Sequence, residues 1–416
     1  MDDSSYLLPL MIRLEIFVKH LPKVKLLRGD DHMGVIKARV LAAKAAEAPV
    51  IVFLDSHCEV TQGWLEPLLD RIARNPTTVA SPTIDEIDRN TFEYKPEDIN
   101  DLKIGGFDWK LNFVWNVLPR ERYIKLTHAA QPRASPVLPG GIFAIDKDFF
   151  SHLGYYDEGF DIFGRENMEL SFKAWMCGGR VEILPCSHVG HVPRKGIFYK
   201  KSKMIDNKNA IRIAQVWLDD YAKYFYETIG NNIGNVGSVD QRKRLRQKLN
   251  CRSFEWYLKN VNPHMEIPSN FAGRGNIINN ERLCLDSAVP QNRTGDDVIL
   301  TKCYKEGGNQ YWVYSRQGEI KQGRWCLDYD ENLKVVLNLC TSRLKSQMWL
   351  YKDSTHHIMN MRNLLCLRTT KQPKKWGVML KKCSDSHKQK WIILNFRVDS
   401  LDPELQILSK RPPFKY

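Results

Sequence analysis

The sequence predicts an α/β domain followed by an all-β domain, and three observations support this division. Over the first 260 residues, helical and strand patterns alternate. Within that part, Val50–Leu54 is a run of five mostly β-branched or aromatic residues, typical of a buried strand. After residue 280, a Cys-Leu motif recurs about every 40 residues. The length of 416 residues gives room for two or three domains.

The first domain is predicted to contain helices and strands in alternation, which indicates an α/β fold. In chain order these are an Ala-rich helix over Val35–Ala48, the strand ending at Leu54, an amphipathic helix over Gly63–Ala73, strands over Val79–Ile84 and Val137–Ile145, a helix over Glu166–Cys177, a strand over Val181–Leu184 and a long helix over Asn209–Tyr226.

Two potential metal ligands follow the first predicted strand. We expect Val50–Leu54 to be buried on both faces of a parallel sheet, and Asp55 and His57 come directly after it. Positions i and i+2 of an extended chain project to the same side, so both side chains can reach one ion. Open α/β sheets bind ligands beyond the carboxyl ends of their strands. The alternative is a polar strand end that caps the next helix.

A linker and three repeats define the second domain. Residues 264–271 have the composition of a linker, and short strands and turns follow. Each Cys-Leu motif precedes a second cysteine and then a Gln-x-Trp. The three units contain Cys284-Leu285-Asp286 with Gln310-Tyr311-Trp312, Cys326-Leu327-Asp328 with Gln347-Met348-Trp349, and Cys366-Leu367-Arg368 with Gln389-Lys390-Trp391. One such unit cannot bury its tryptophan alone, so the three are expected to close into one three-fold β domain.

The cysteines indicate an oxidising compartment. Six of the ten follow residue 280 and form successive pairs, which suits three local disulfides: Cys284 with Cys303, Cys326 with Cys340, and Cys366 with Cys383. Zinc binding is the alternative use, but no Cys-x2-Cys spacing occurs. Asn292-Arg293-Thr294 is a glycosylation sequon, which agrees with a secreted context.

Charge and hydropathy argue against two classes of partner. The net charge is +14, but Lys and Arg are scattered, without the compact basic block of a nucleic-acid-binding protein. No run of about 18 apolar residues exists, so no membrane span is predicted. Tyr6–Val18 lacks the basic start and cleavage site of a signal peptide. Taken literally, these features predict a cytosolic chain, which conflicts with the cysteines.

The repeats resemble the ricin-type β-trefoil lectins, and the whole chain resembles the polypeptide N-acetylgalactosaminyltransferases, which start mucin-type O-glycosylation. The resemblance covers essentially residues 1–398. The matching segments are Leu54-Asp55-Ser56-His57-Cys58, Gly63–Leu69, Gly105–Trp109, Gly140–Asp146, Gly164–Phe172, Pro185–Val192 and Asn250–Leu258. The resemblance implies an N-terminally incomplete GT-A (Rossmann-like nucleotide-sugar) domain over 1–263, a linker over 264–271, a ricin-type lectin trefoil over 272–398 and a tail over 399–416.

The implied activity is a manganese-dependent, retaining transfer of GalNAc from UDP-GalNAc to Ser or Thr of polypeptides. Asp55, His57 and His191 match the family's Mn²⁺ ligands; without the family, His188 would be an equal candidate for the third position. Glu166 and Asn167, in a Gly-Arg-Glu-Asn catalytic loop, match residues that contact the donor sugar. We assign Glu166 to positioning, and the alternative is a carboxylate that stabilises a helix N-terminus.

Further implied roles concern the donor, the acceptor and one disulfide. Asp3 matches a uridine contact, Gly140 and Gly141 a turn against the donor sugar, and Arg194 and Tyr199 a loop over the diphosphate. Phe113 and Trp115 match the acceptor-peptide groove, although both could equally be core residues. Cys177 and Cys251 match a family disulfide, whereas Cys186 is expected to be unpaired. The family places the protein in the Golgi, through a membrane anchor absent from this chain.

In the trefoil, sugar binding needs an acidic residue after Cys-Leu and an amide residue before Gln-x-Trp. The first repeat has both, in Asp286 and Asn309, so we expect one working GalNAc site. The second repeat has Asp328 at the acidic position but Ser346 at the amide position. The third repeat has Arg368 and Lys388 at these positions and is expected to be only structural.

Departures from the family suggest a second hypothesis. Met1–Ser5 falls on the family's Asp-Asp-x-Ser turn, so the first strands are expected to be missing and an apolar sheet edge exposed. Site positions also differ: His32, Pro139, Phe163, Arg165, Pro193 and Ile197 replace other family residues. The alternative function is therefore a GalNAc- or glycopeptide-binding protein that acts through the lectin domain.

Overall fold

The structure is a computed structural model that describes residues 8–29, 32–98, 103–119, 122, 124, 126–193, 203–230, 234–287, 295–303, 308–341, 343–371 and 376–411. Contacts within the chain group it into two compact units. The first unit extends to Ala222 and resumes over Ile233–His264, and the second comprises Lys223–Asn232 and the chain from Met265 onward.

Ten α-helices occur in the described part of the chain, and none is long and apolar enough to cross a bilayer. They are α1 (Ile12–Lys19), α2 (Gly34–Ala45), α3 (Leu65–Arg74), α4 (Lys147–His152), α5 (Glu166–Met176), α6 (Lys203–Trp217), α7 (Ala222–Ile229), α8 (Asp240–Lys248), α9 (Phe254–Asn260) and α10 (Pro403–Lys410).

The first unit is built on a mixed sheet with the strand order β1-β8-β3-β9-β2, to which β4 adds through β3 and β7 through β9. Strands β5 and β6 form a separate hairpin. The bounds are β1 (Val50–Phe53), β2 (Cys58–Val60), β3 (Thr78–Ile87), β4 (Tyr94–Lys95), β5 (Lys103–Phe107), β6 (Phe113–Val117), β7 (Arg133–Ala134), β8 (Phe143–Asp146) and β9 (Arg180–His191).

Strand β1 corrects the expectation of a strand buried on both faces of a parallel sheet. It pairs antiparallel with β8, and its burial alternates: Ile51 and Phe53 are buried, whereas Val50 and Val52 are only partly so. The parallel pair is instead β3 with β9. A run of β-branched residues reflects contact with apolar neighbours, and it carries no information on the direction of the neighbouring strand.

Two other predicted elements are shorter than expected. The long helix predicted over Asn209–Tyr226 is two helices, α6 and α7, because Asp219 adopts a left-handed conformation with φ 48°. The Asp219 carboxylate accepts hydrogen bonds from Arg246 and from the Phe254 N–H, which holds this break in place. Of the strand predicted over Val137–Ile145, only the part from Phe143 is strand; Val137 and Leu138 are buried in an irregular segment.

Helix α6 anchors the segment that leads into α5. The Arg212 side chain, 5% exposed, donates two hydrogen bonds of 2.9 Å to the Asp157 carboxylate, which is equally buried. Burial raises the pKa of Asp157, but Arg212, the Gly159 N–H and Arg242 together hold it below its ordinary value. One turn away, Asn209 accepts from the Asp161 N–H and donates to the carbonyls of Asp161 and Gly164.

The second unit is a β-trefoil built from short antiparallel strands. Its strands are β10 (Gly273–Gly275), β11 (Ile277–Asn279), β12 (Leu283–Asp286), β13 (Asp296–Asp297), β14 (Ile299–Lys302), β15 (Trp312–Tyr314), β16 (Ile320–Gln322), β17 (Trp325–Tyr329), β18 (Val335–Leu339), β19 (Trp349–Lys352), β20 (His357–Asn360), β21 (Cys366–Lys371), β22 (Trp376–Lys381) and β23 (Trp391–Ile393). Trp312, Trp349 and Trp391 are at most 1% exposed and share one core. Leu405 of α10 packs into the same core.

Four disulfides form with the expected partners. Three lie within the trefoil repeats, and the fourth joins the end of α5 to the segment before α9 in the first unit. The pairs are Cys284–Cys303, Cys326–Cys340, Cys366–Cys383 and Cys177–Cys251. Cys58 and the exposed Cys186 are free thiols. Each trefoil disulfide closes a loop of a size that contributes roughly 3 kcal/mol in the chain-entropy model.

We predict that Arg212→Ala strongly destabilises the first unit. The change leaves the Asp157 carboxylate buried beside a cavity, and losing one partner of a buried ion pair costs about 3–5 kcal/mol. Denaturant unfolding followed by tryptophan fluorescence measures the loss. Arg74→Ala is the matched control, because its ion pair with Asp70 is exposed and is expected to change stability by less than about 0.5 kcal/mol. Equal effects of the two substitutions would contradict the prediction.

Candidate functional site

Asp55 and His57 lie in the short connection between β1 and β2, and the pairing of β2 brings His191 beside them. Cys58 is the direct partner of His191 in the β2–β9 ladder, and the Val192 N–H donates to the His57 carbonyl at 3.1 Å. One ligand atom from each of Asp55, His57 and His191 lies within 4.8 Å of the other two. The imidazole rings of His57 and His191 are 4.6 Å apart between centroids.

The donor set of this Asp55–His57–His191 cluster fits a divalent cation. It offers one carboxylate and two imidazoles, the ligand types that first-row divalent metals accept. The pKa of Asp55 is lowered to about 2 by the neighbouring His191 imidazole, and further by Arg39 and His57, against the opposing effect of burial. Asp55 is therefore ionised at neutral pH. All three side chains are partly exposed, so an ion can reach them.

The alternative ligand, His188, has a different role. Its Nδ1 lies 2.9 Å from a carboxylate oxygen of the fully buried Asp85, which also accepts hydrogen bonds from the Tyr94 hydroxyl and the Glu97 N–H. His188 is thus engaged by a buried carboxylate. The structure brings His191, and not His188, to Asp55 and His57.

Arg39 is a site residue that the sequence analysis missed. From helix α2 its guanidinium donates to the Asp55 carboxylate at 2.7 Å and to the Gly141 carbonyl at 3.3 Å. The same group lies 3.6 Å from the Glu166 carboxylate, and the side chain is only 11% exposed. It therefore joins the metal-ligand cluster to the start of α5. An arginine in an Ala-rich helix carries no sequence pattern that would reveal this position.

Glu166 and Asn167 begin helix α5 and are fixed by local hydrogen bonds. Arg165 precedes them in a left-handed conformation with φ 72°. The Glu166 carboxylate accepts from the Gly164 N–H at 2.8 Å, and the Asn167 amide donates to the Leu138 carbonyl at 3.0 Å. The loop can thus present a carboxylate whose orientation is set before any ligand binds.

The Gly140–Gly141 turn lies between Arg39 and Asp55. Gly140 has φ 135°, a conformation that residues with a side chain rarely adopt. A Cβ atom on Gly141 would lie 2.1 Å from Arg39 Nη2 and 3.1 Å from Asp55 Oδ1. Glycine thus suits the backbone conformation at the first position, and at the second a side chain would displace the Arg39 guanidinium from Asp55.

Asp55, His191, Gly140, Gly141 and Trp115 line one cavity of about 440 Å³, within the range of small-molecule sites. Trp115 is 42% exposed, and its ring lies edge-to-face on that of Phe113 at 5.2 Å between centroids. Of the substituted positions, Pro139 and Pro193 also line the cavity.

Asp3, Arg194, Tyr199 and Ile197 lie outside the described residues, as does the sequon at 292–294.

In the trefoil, the structure brings the two predicted sugar-binding residues of the first repeat together. The Ser287 N–H, directly after Asp286, donates to the Asn309 carbonyl at 3.1 Å. The Asp286 carboxylate accepts from Thr301 at 2.8 Å and from Gln310 at 3.1 Å. These donors fix the orientation of the Asp286 carboxylate, which is 6% exposed, and the neighbouring Asn309 is partly exposed.

Two family models match the chain, one over each unit. Residues 10–154 match the model of glycosyl transferase family 2, and residues 273–391 match that of the ricin-type beta-trefoil lectin domain.

Named relatives extend the similarity over nearly the whole chain. The putative polypeptide N-acetylgalactosaminyltransferase 9 of Drosophila melanogaster is 43% identical over 95% of this chain and 61% of its own length. The polypeptide N-acetylgalactosaminyltransferase 5 of Caenorhabditis elegans is 44% identical over 89% of this chain and 59% of its own. The human polypeptide N-acetylgalactosaminyltransferase 13 is 39% identical over 95% of this chain and 72% of its own. The chain thus spans about 60% of the length of the first two.

A solved structure shows the same architecture. The crystal structure of GalNAc-T7 with UDP, GalNAc and Mn²⁺ matches with a TM-score of 0.74 and 30% identity, over 95% of this chain and 74% of that one.

We predict that His191→Ala weakens Mn²⁺ binding by at least about tenfold, because the cluster loses one of its three ligands. Isothermal titration calorimetry of the full chain with MnCl₂ measures the change. His188→Gln is the control, since His188 lies three residues away on β9 but is held by Asp85. Equal affinities of His191→Ala and the unsubstituted chain would show that the cluster does not hold the ion.

Proposed function

The chain belongs to the polypeptide N-acetylgalactosaminyltransferase family, and from that premise we propose that it transfers GalNAc from UDP-GalNAc to Ser and Thr hydroxyls of polypeptides, with retention of anomeric configuration. The observation that carries this proposal is the convergence of Asp55, His57 and His191 at a cavity that Asp55, His191 and the Gly140–Gly141 turn line. A nucleotide sugar needs this combination of a cation site for its diphosphate and open backbone space for its sugar.

The metal in this proposal is Mn²⁺, held by Asp55, His57 and His191. When bound, the ion would supply positive charge to the diphosphate and so stabilise UDP as a leaving group. The donor set agrees with Mn²⁺, and GalNAc-T7, a structural relative, was crystallised with that ion. Arg39 orients the Asp55 carboxylate through its 2.7 Å hydrogen bond to Oδ1, whereas His191 Nε2 lies 3.8 Å from Oδ2.

Glu166 positions the donor sugar in this mechanism. Its carboxylate is 13% exposed, accepts from the Gly164 N–H and faces Arg39, so it is held as a fixed hydrogen-bond acceptor. A carboxylate held in this way orients the sugar hydroxyls relative to the bound peptide. It also avoids the reorganisation that a mobile side chain would need. Asn167 supports the same loop through Leu138, on the segment that leads into the Gly140–Gly141 turn.

The remaining roles follow from the same proposal. Asp3, Arg194 and Tyr199 would contact the nucleotide, and Trp115 with Phe113 would line the path of the acceptor peptide. The proposed domain organisation is the GT-A domain over 1–263, the linker over 264–271, the lectin trefoil over 272–398 and the tail over 399–416. The setting is the Golgi, where glycosyltransferases of this family meet their glycoprotein acceptors.

A lectin function of the trefoil is the second candidate, favoured by the juxtaposition of Asp286 and Asn309. The Asp286 carboxylate would accept hydrogen bonds from the vicinal hydroxyls of GalNAc, and the Asn309 amide would donate to them. This function is compatible with catalysis, since glycan binding would retain an acceptor that already carries GalNAc. It would also persist alone if the donor site were inactive.

We predict Mn²⁺-dependent binding of UDP by the full chain, followed by transfer of GalNAc to a Ser/Thr-rich peptide. Calorimetry with and without Mn²⁺ measures the first step, and mass spectrometry of the peptide measures the second. Glu166→Gln is expected to lower kcat about 100-fold, as for removal of a preorganised electrostatic group, while UDP binding changes little. If no Mn²⁺-dependent UDP binding occurs, the chain is not a competent transferase.

We predict that Asp286→Ala abolishes binding of free GalNAc to the trefoil, because the carboxylate is the acceptor for the sugar hydroxyls. Saturation-transfer NMR with GalNAc measures the loss, with Asp328→Ala as the matched control in the second repeat. Unchanged GalNAc binding by Asp286→Ala would contradict the lectin assignment and leave the transferase proposal untouched.

A further inference from the structure

The three trefoil repeats share one backbone arrangement around the position that follows Cys-Leu. In each repeat, the indole N–H of the Gln-x-Trp tryptophan donates to the carbonyl of the Cys-Leu leucine, with distances of 2.8, 3.0 and 2.8 Å. In each repeat, the Gln-x-Trp glutamine also donates to the carbonyl of the residue before the second cysteine, at 3.1, 3.0 and 2.9 Å. The side chain of the residue after Cys-Leu therefore projects from an equivalent backbone position in all three repeats.

The side chains around this place differ in charge between the repeats. In the first and second repeats, the aspartates accept a hydrogen bond from the residue two positions before the second cysteine, which is Thr301 or Asn338. In the third repeat, the corresponding residues are Arg368 and Lys381. The middle residue of the 3₁₀ turn before each tryptophan is Asn309, Ser346 and Lys388 in turn. The third repeat thus has a cation at each of the three positions.

These three residues, which we call the cationic triad, lie on one side of the third repeat. Arg368 on β21 is the direct cross-strand partner of Met379 on β22, and Lys381 follows two residues later on the same face. Such diagonal neighbours are about 7–8 Å apart. The turn that contains Lys388 packs against β21. Met379, partly exposed between the cations, forms an apolar floor.

The charge of the triad is not compensated within the described part of the chain. Arg368, Lys381 and Lys388 form no ion pair there, and all three are partly or fully exposed. Two acidic side chains near the turn that contains Lys388 are already engaged: Asp385 accepts from Lys390, and Glu281 lies 3.7 Å from His387. Arg and Lys can only donate hydrogen bonds, so the triad lacks the acceptor that a neutral sugar site requires.

We propose that the third repeat binds an acidic sugar, a galactose-type residue whose sulfate ester or sialic acid carboxylate is held by Arg368, Lys381 and Lys388. The planar guanidinium can engage such a group through two parallel hydrogen bonds, and the two ammonium groups add charge. Met379 contacts the apolar face of the sugar ring. The third repeat is thus a binding site with positive side chains where the first repeat has a carboxylate and an amide. This differs from the purely structural role expected from its sequence.

The choice of a sugar over an acidic peptide rests on the lectin role proposed for the first repeat, because the triad occupies the positions equivalent to that site. The choice of an anion rests only on the triad itself. The small extent of the patch, within one hairpin and one turn, also suits a single sugar residue better than an extended peptide.

The test is binding of the full chain to three lactose-based glycans on a surface plasmon resonance chip: 3′-sulfolactose, 3′-sialyllactose and neutral lactose. At about 50 mM salt, where screening is moderate, at least one acidic glycan is expected to bind about tenfold more tightly than lactose. The two acidic probes distinguish a sulfate from a carboxylate as the preferred group. The double substitution Arg368→Gln with Lys388→Gln should reduce this preference to less than about twofold.

Two matched controls separate the triad from general basicity and from the first repeat. Arg362→Gln with Lys345→Gln removes the same charge from exposed positions elsewhere in the trefoil and should leave the preference intact. Asp286→Ala should also leave it intact while removing GalNAc binding, so failure of this inference is distinguishable from failure of the lectin assignment. Retained GalNAc binding in the Arg368/Lys388 variant reports that the trefoil is folded.

Three results would overturn the inference. The first is an unchanged preference for acidic glycans in the Arg368/Lys388 variant. The second is an equal loss of that preference in the Arg362/Lys345 control. The third is triad-dependent binding of a Glu-rich peptide as tight as the binding of the acidic glycan at the same net charge. The last result would identify the patch as a peptide-binding surface.

Discussion

The pairing of strand β9 on both of its edges is the constraint on which the site of the first unit depends. Its last residues pair parallel with β3, where Glu86 faces His191, and antiparallel with β2, where Cys58 faces the same histidine. Asp55 and His57 lie directly before β2, so this ladder joins ligands more than 130 residues apart in the chain. The β3–β9 register shifts between Pro82 and Thr83, and after this shift His191 lies opposite Glu86.

The trefoil shows how a shared backbone can carry different chemistry. The buried indole-to-carbonyl hydrogen bond of each repeat fixes the fold through atoms that do not depend on the residue after Cys-Leu. That residue is therefore free to change without loss of the core. A carboxylate there gives an acceptor for sugar hydroxyls, and a guanidinium gives only donors. The three repeats accordingly have similar structures and different surface charges.

The sequence predicted those features that depend on local pattern. The trefoil disulfides follow from the spacing of the cysteines, and the i,i+2 relation of Asp55 and His57 follows from strand geometry. Features that depend on distant partners could not be derived in this way. A run of apolar residues does not indicate that the neighbouring strand of β1 is antiparallel. The break between the helices at Asp219 depends on the contacts of its carboxylate with Arg246 and Phe254. His191 was identified only through the family resemblance, and Arg39 was not identified at all.

The position of Arg39 explains how a partly exposed ligand cluster remains ordered. Two carboxylates, Asp55 and Glu166, face one guanidinium, so this group of residues has one net negative charge. Without Arg39, two carboxylates would repel each other across the cavity, and the loop that carries Glu166 would lose its link to β1. The remaining negative charge favours a divalent cation, and only the combined positive charge of the cation and Arg39 favours a diphosphate. The same arginine therefore orients the metal ligand, holds the loop that positions the sugar, and adjusts the local charge so that cation and nucleotide bind together.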